Sequence, residues 1–569
     1  MCYDIGAEDD PFLRNNHPVH GESSMSEIWQ NEKALALILL VVCLTLFFFR
    51  LGSIPLFDRD EGLHAVTSKE MVVSGDWVTT KFNGENFYDK PVLFNWLVAL
   101  SFEALGFTEL AARLPAAILG LGCVIVTYLL GRKMYDPVTG FVSGMILATS
   151  PEFIILSRAV VHDISLVFFV TLALFFFYLG FTRERHRKLY FPLFYAALGC
   201  AVLAKGPVGI ILPGMIIAIF LTLTGKLRFI KELQIPLGAV IVFAVAAPWY
   251  ILISLRNSDY LDYFVKLNFS YFFSSKVAHA RPVYYYIPIL LGGFSPWSFF
   301  LPLAFIHAFW RPFRRVDERA LFLFLWFAVI FLFFSAASSK LGTYILPSFP
   351  AASLLVGILW REFLETPTVG LRKGFLYSFL PLVVTFSLAL IYLFVAPPTL
   401  LVTRYGLDLS LINFLGIFLV GMIVLALILL LYRQYEVFFF ANAGCVIFAM
   451  LLFIALILPS MIPFRSTKGL AGKMDALVAP GEPFLFFDSR RDTALFYTNR
   501  KGIFLNDPAQ LIQHLMSSEG RFAIVDENNL RKFPIINKAA RIVDRQGNAV
   551  LMTARRVVEP TTESRAGGS

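Results

Sequence analysis

Apolar runs long enough to cross the ~30 Å hydrocarbon core of a bilayer recur along most of the chain, separated by short polar segments. The first covers 34–49. Two more, 91–107 and 113–130, follow a polar stretch that ends at Lys90. Later runs fall at 138–156, 164–181, 190–204, 208–223, 236–255, 284–309, 320–335, 344–360, 375–395, 409–432 and 437–458. Lys and Arg gather in the intervening loops at 132–133, 183–188, 226–231, 311–319, 361–373 and 433, and such loops face the cytoplasm. If both 91–107 and 113–130 crossed, every later basic loop would be inverted. The run 91–107 is short, opens on Pro91 and contains Glu103, so it reads as a helix lying at the outer interface. About thirteen spans remain.

After Pro459 the pattern changes. Residues 484–488 and 521–525 read as short buried strands, and 508–517 as a helix with proline in its first turn. The expected fold is therefore a polytopic α-helical membrane protein with a small C-terminal extracytoplasmic α/β domain. Its parts are a disordered cytoplasmic extension (1–32, with Met25 as a second possible start), a membrane domain (33–459, first outer loop 52–112) and an outer domain (460–569).

Composition agrees with this reading. The 569 residues are 57% hydrophobic and only 16% charged, where a soluble domain is nearer a quarter. A net charge of +9 would suggest nucleic acid in a soluble protein. Here the basic residues sit in loops that orient spans, and no nucleic-acid partner is expected. Cys2, Cys43, Cys123, Cys200 and Cys445 show neither a disulfide framework nor zinc-knuckle spacing.

The same parity places a set of charges at the outer face, where charge near a bilayer is costly and usually functional. The first outer loop carries Arg59-Asp60-Glu61 and Asp89-Lys90-Pro91. Arg158, His162 and Asp163 follow, then Lys205-Gly206-Pro207, then Lys266, Lys276, His279 and Arg281, then Lys340 with Tyr344 close behind. Single lysines such as Lys266 or Lys276 read as anchors that snorkel to the interface. The recurrence of Lys90, Lys205, Arg281 and Lys340 at one face suits a lipid phosphate. Carboxylates among those cations suit a base or an orienting group.

These residues carry a resemblance. Arg59-Asp60-Glu61-Gly62, Lys69-Glu70-Met71, Gly75-Asp76-Trp77, Asn83-Gly84 and Asp89-Lys90-Pro91 together resemble the first outer loop of aminoarabinose transferases acting on lipid A. Those enzymes are protein-mannosyltransferase-like GT-C glycosyltransferases. Ala204-Lys205-Gly206-Pro207, Tyr284-Tyr285-Tyr286, Pro296-Trp297, Ser339-Lys340-Leu341 and Thr343-Tyr344-Ile345-Leu346-Pro347 extend the match over about residues 50 to 350. The resemblance implies Asp60 as the catalytic carboxylate, beside Glu61, and Lys90 as the contact to the lipid phosphate. It also implies active-site positions for Asp163, Lys205, Arg281, Lys340 and Tyr344. Asp89 stands where the family usually has Glu. That Glu, with a histidine that His279 resembles, suggests a structural zinc in relatives, and no cofactor is required for catalysis.

The resemblance further implies inverting transfer of an aminoarabinose-like or other sugar from a polyprenyl-phosphate donor to lipid A or another envelope acceptor. The site would be periplasmic and the protein a monomer in a bacterial inner membrane. Rival readings are a transporter of lipid-linked substrates, a GT-C transferase acting on protein and a non-catalytic scaffold. A transporter predicts charges in two related halves, whereas the charges here lie at one face with no internal repeat.

Overall fold

The computed structural model describes residues 27, 29–273, 280–309, 317–396, 407–477, 482–488, 491–498, 500–516 and 522–554. Among them, nine helices are long and apolar enough to cross a membrane, from Glu109–Met134 to Tyr435–Arg465. A tenth would be the pair Val283–Gly293 and Trp297–Phe309, which is bent by 114°. The sequence had read that pair as a single span. The bend falls at Phe294-Ser295-Pro296, where proline cannot supply the backbone N–H that a continuous helix needs.

Three other expected spans form shorter helices. They are Glu32–Phe48 with 17 residues, Pro137–Ala148 with 12 and Val208–Leu223 with 16. The expected run 138–156 is divided at Thr149-Ser150, and a second short helix, Pro151–Leu156, starts on its own proline. Leu93–Leu105 has 13 residues, or about 20 Å at 1.5 Å per residue, too short to cross. The interfacial-helix reading of 91–107 requires that length.

Aromatic side chains fill the helix interfaces. Trp360 packs edge-on against Phe300 at 5.3 Å and Phe375 at 4.9 Å, and tilted against Phe438 at 5.1 Å. Two of the buried indole N–H groups find partners: Trp297 donates to Thr149 Oγ1 at 3.0 Å, and Trp326 to the Pro347 carbonyl at 2.9 Å.

Two small sheets complete the fold. Strands β1 (Lys81–Phe82) and β2 (Glu85–Asn86) form a hairpin in the first outer segment. The C-terminal sheet contains β3 (Phe484–Phe487), β4 (Gly502–Leu505), β5 (Phe522–Asp526), β6 (Arg541–Gln546) and β7 (Ala549–Thr553). Its order is β4-β3-β5-β7-β6, with β3 parallel to β4 and β5, and β7 antiparallel to β5 and β6. The expected strands at 484–488 and 521–525 correspond to β3 and β5, and the expected helix to Pro508–Leu515. Phe484 and Phe486 join the core of the helical bundle, while Leu485 and Phe487 pack beneath the sheet's other face. The strand's period of two thus divides its side chains between two cores.

Candidate active site

The first outer segment is built around three carboxylates within four residues, and each has a different environment. Asp58 is 8% exposed and Glu61 8% exposed, whereas Asp60 lies open at the start of the helix Asp60–Ser74. Two acidic residues in that first turn suit the helix dipole, and Gly75, with φ 69°, ends the helix in the left-handed conformation that glycine adopts without strain.

Glu61 turns inward. Arg113 Nε donates to its Oε1 at 2.9 Å and Arg113 Nη2 to its Oε2 at 2.7 Å. The backbone N–H groups of Phe57 and Val160 add bonds at 3.0 and 3.2 Å. The remaining Arg113 donors reach the carbonyls of Leu51, Ile54 and Pro55 at 3.1, 2.6 and 3.0 Å. Burial works against the Glu61 charge, but Arg113 and these donors hold its carboxyl below the ordinary value. The Asp60 carboxylate, by contrast, has no hydrogen bond or ion pair among the described residues.

Asp89 and Lys90 follow the hairpin, and the Lys90 ammonium lies 3.2 Å from the Asp89 carboxylate. Asp163 opens the helix Asp163–Thr182, Lys205 closes the helix Arg187–Lys205, and the two form an ion pair. Each charge sits at the helix end that its sign favours. Gly206, with φ 77°, turns the chain directly after Lys205. The Lys205 ammonium also lies 4.3 Å from the centroid of the Tyr344 ring. Lys90, Lys205 and Tyr344 line one open cleft of about 730 Å³, whose apolar walls include Tyr260, Phe264 and Phe334.

Lys340 and Arg281 sit differently. Lys340 is 3% exposed, and its ammonium is held by the carbonyls of Ala337 and of Arg281, the latter at 3.1 Å. Its neighbours Ala337 and Ser339 line the cleft. Arg158 donates to the carbonyls of Leu46 and Phe49, both at 2.7 Å, and so caps the helix Glu32–Phe48. Lys266 is exposed. Lys276 and His279 lie outside the described residues. Among the described residues no three His, Cys, Asp or Glu side chains gather as a metal-ligand group. Asp89 lies against the Lys90 ammonium, and the histidine that the zinc reading pairs with it is not among the described residues.

Sequence reading did not single out His64, although it stands one helical turn after Asp60 on the same face. Its ring packs 4.3 Å from that of His162, centroid to centroid. His64 feels the charges of Asp89, Asp60, Lys90 and Asp163, and His162 those of Lys90 and Lys205. The imidazole pair therefore sits among five of the expected site residues. Burial holds His64 below its ordinary value, against the pull of Asp89 and Asp60, and holds His162 well below it. Below pH 6.5 the unfolded chain gains protons that these rings refuse when folded, so folded stability falls as pH drops through that window. Thermal midpoints of the detergent-solubilised protein at pH 5.5 and 7.5 should differ more for wild type than for His64→Asn. An equal difference in the two proteins would remove His64 from this account.

Comparison with known proteins bears on the whole arrangement. ArnT from Cupriavidus metallidurans, solved bound to undecaprenyl phosphate, superposes with a TM-score of 0.78 at 23% identity, over 91% of this chain and 97% of that one. The archaeal oligosaccharyltransferase AglB from Archaeoglobus fulgidus superposes at 0.54 and 13% identity, over 95% and 76%. The fold is that of the GT-C membrane glycosyltransferases. A family model described as dolichyl-phosphate-mannose-protein mannosyltransferase matches residues 89–252. An uncharacterised protein of Aquifex aeolicus is 31% identical over 63% of this chain and 70% of its own length. The undecaprenyl phosphate-α-4-amino-4-deoxy-L-arabinose arabinosyl transferases of Aeromonas salmonicida and Proteus mirabilis are 30% and 32% identical over 55% and 56% of this chain. The chain is thus similar to these arabinosyl transferases over a little more than half of its length, and it belongs to one family with the Aquifex aeolicus protein. It spans 57% and 58% of the length of those two arabinosyl transferases.

Proposed function

We propose that the protein transfers a sugar from a polyprenyl-phosphate donor to lipid A or another envelope acceptor, by inverting displacement on the periplasmic side of a bacterial inner membrane. The observation that carries this reading is the meeting of Lys90 and Lys205, from separate outer segments, in one cleft with aromatic walls. Two ammonium groups suit the donor phosphate, and the aromatic walls suit the first isoprene units. Asp89 and Asp163 keep the lysines placed before the donor arrives.

An acceptor oxygen attacks the anomeric carbon from the face opposite the phosphate. The bond from that carbon to the phosphate oxygen breaks, and polyprenyl phosphate leaves with the electron pair. Lys90 and Lys205 stabilise the charge growing on it, an electrostatic contribution of about 2.7–4 kcal/mol for a well-placed donor. If the acceptor is a hydroxyl, its proton passes to Asp60. If the acceptor is a phosphate, no proton is transferred and Asp60 orients the reacting groups. Asp163, Tyr344, Lys340 and Arg281 shape and support the cleft, and Glu61 serves as a buried strut. The parts of the chain in this reading are the membrane unit 33–459, which carries the site, and the outer unit 460–569, with the protein acting as a monomer.

Mass spectrometry of lipid A, core oligosaccharide and surface glycans tests the reading in cells with and without the gene. Loss of one sugar-sized mass increment from one of these fractions is expected on deletion. Identical spectra in all three, under conditions where the protein is expressed, would contradict it.

A further inference from the structure

The turn that presents Asp60 is backbone-strained and held from two sides. Arg59, directly before Asp60, has φ 71° and ψ −115°, a conformation that non-glycine residues rarely adopt. On the bundle side the turn is fixed through Glu61 and Arg113. On the other side it is fixed by the C-terminal unit. The Asp58 carboxylate accepts from Thr493 N–H at 3.1 Å, from the Thr493 hydroxyl, and from Arg491 Nη1 at 3.2 Å. Arg491 is itself fixed by an ion pair with Asp526 at the end of β5 and by a bond to the Phe464 carbonyl at 3.2 Å. The Asp58 N–H donates to the Arg465 carbonyl at 2.6 Å. Backbones meet closely here: a Cβ on Gly62 would come 2.9 Å from Thr493 N and 3.1 Å from Asp492 C.

Asp58 and Glu61 are thus spent on opposite anchors, and only the carboxylate between them stays free to meet a substrate. We propose that Asp58, Arg491 and Thr493 are positioning residues, through which the C-terminal unit holds the strained turn that aims Asp60 at the cleft. The inference rests on the proposed role of Asp60 in sugar transfer. It gives the C-terminal sheet a task in the reaction, although none of its described side chains lines the cleft formed by Lys90, Lys205 and Tyr344.

The unit has other attachments that survive loss of this clamp. Asn83 and Gly502 exchange two hydrogen bonds of 2.7 Å, and the Leu56 N–H donates to the Tyr497 hydroxyl at 2.8 Å. Arg491→Gln and Thr493→Val should therefore remain folded and docked, with only the turn loosened. Lys468→Gln, which removes a half-exposed bridge to Glu109 elsewhere in the contact, serves as the docking control.

The test uses the full-length protein in lipid nanodiscs, with a polyprenyl-phosphate-linked sugar as donor. Turnover and amide hydrogen exchange over residues 57–63 are measured for wild type and the three variants. Arg491→Gln and Thr493→Val are expected to lower kcat roughly ten- to a hundredfold, as misplacement of a reacting group does, with donor KM within about twofold of wild type. Exchange over 57–63 should quicken in both, protection at the Asn83–Gly502 contact should persist, and Lys468→Gln should match wild type. Unchanged exchange over 57–63 overturns the clamp whether or not turnover is seen. Quickened exchange with unchanged kcat, or a rise in KM alone, overturns the positioning role. A wild-type protein that binds donor and turns nothing over defeats the transfer reading instead, and the positioning role with it, while the exchange data still report on the clamp.

Discussion

Asp60→Asn is expected to lower sugar transfer by about 10²–10⁴-fold, the usual cost of removing a general base, while donor binding and the folded state survive. The structure separates this residue from its neighbours on physical grounds. Adjacent residues on a helix diverge by about 100°, so Asp60 and Glu61 cannot face the same centre. Glu61 turns to Arg113 and is nearly closed off, while Asp60 lies exposed one turn from the His64–His162 pair. The substitution keeps side-chain shape and removes charge where no described ion pair is lost, so stability should stay within about 0.5 kcal/mol, as for ordinary surface changes. Turnover at saturating donor, with thermal midpoint and donor affinity measured on the same preparation, checks all three statements. The size of the loss also reports on the acceptor. A hydroxyl acceptor needs its proton removed and should show the full effect, whereas an acceptor phosphate is already an anion and should leave more residual rate.

Arg113→Ala is expected to be the most damaging single change to stability, about 3–5 kcal/mol, because it leaves a buried carboxylate without its partner. The same change strips hydrogen bonds from the carbonyls of Leu51, Ile54 and Pro55, which are held on one guanidinium. Lysine cannot substitute, since its single ammonium cannot serve both Glu61 oxygens and three carbonyls at once. Arg113→Ala and Arg113→Lys should both lower the thermal midpoint in detergent and the yield of folded protein. A midpoint equal to wild type for Arg113→Ala would show that the Glu61–Arg113 pair does not hold the first outer segment.

Local pattern made much of this molecule legible. Apolar runs located the helices from Glu109–Met134 to Tyr435–Arg465, because a span must satisfy its own backbone and so leaves its signature in consecutive residues. The strands β3 and β5 showed as short apolar runs beside turn residues. Strand β6 did not, since Arg541–Gln546 is largely polar and takes its place by pairing with β7. The bend at 114° was written in Gly292-Gly293-Phe294-Ser295-Pro296, yet hydropathy averages over such a break.

The site divides in the same way. Asp60, Lys90, Asp163, Lys205 and Tyr344 could be placed at one face because charge recurs at one end of apolar runs, and the resemblance to the aminoarabinose transferases picked them out of the other residues there. What each side chain touches depends on distant segments. The partner of Glu61 stands 52 residues on, and the partner of Asp58 433 residues on. No local pattern distinguishes a strut from a reacting carboxylate. Arg158 shows the converse, a charge at the expected face that is spent on capping a helix.

The central claim is that Asp60 acts on a donor whose phosphate is held by Lys90 and Lys205. The most direct measurement is the release of polyprenyl phosphate from a polyprenyl-phosphate-linked sugar by the purified full-length protein, with lipid A as acceptor, for wild type and Asp60→Asn. The account predicts that wild type releases one polyprenyl phosphate for each sugar moved, with the anomeric configuration inverted, and that Asp60→Asn binds the donor but releases less, at least a hundredfold less where the sugar goes to a hydroxyl, the lower end of the cost of removing a general base. Equal release by the two proteins at matched amounts, or transfer with retained configuration, would contradict it.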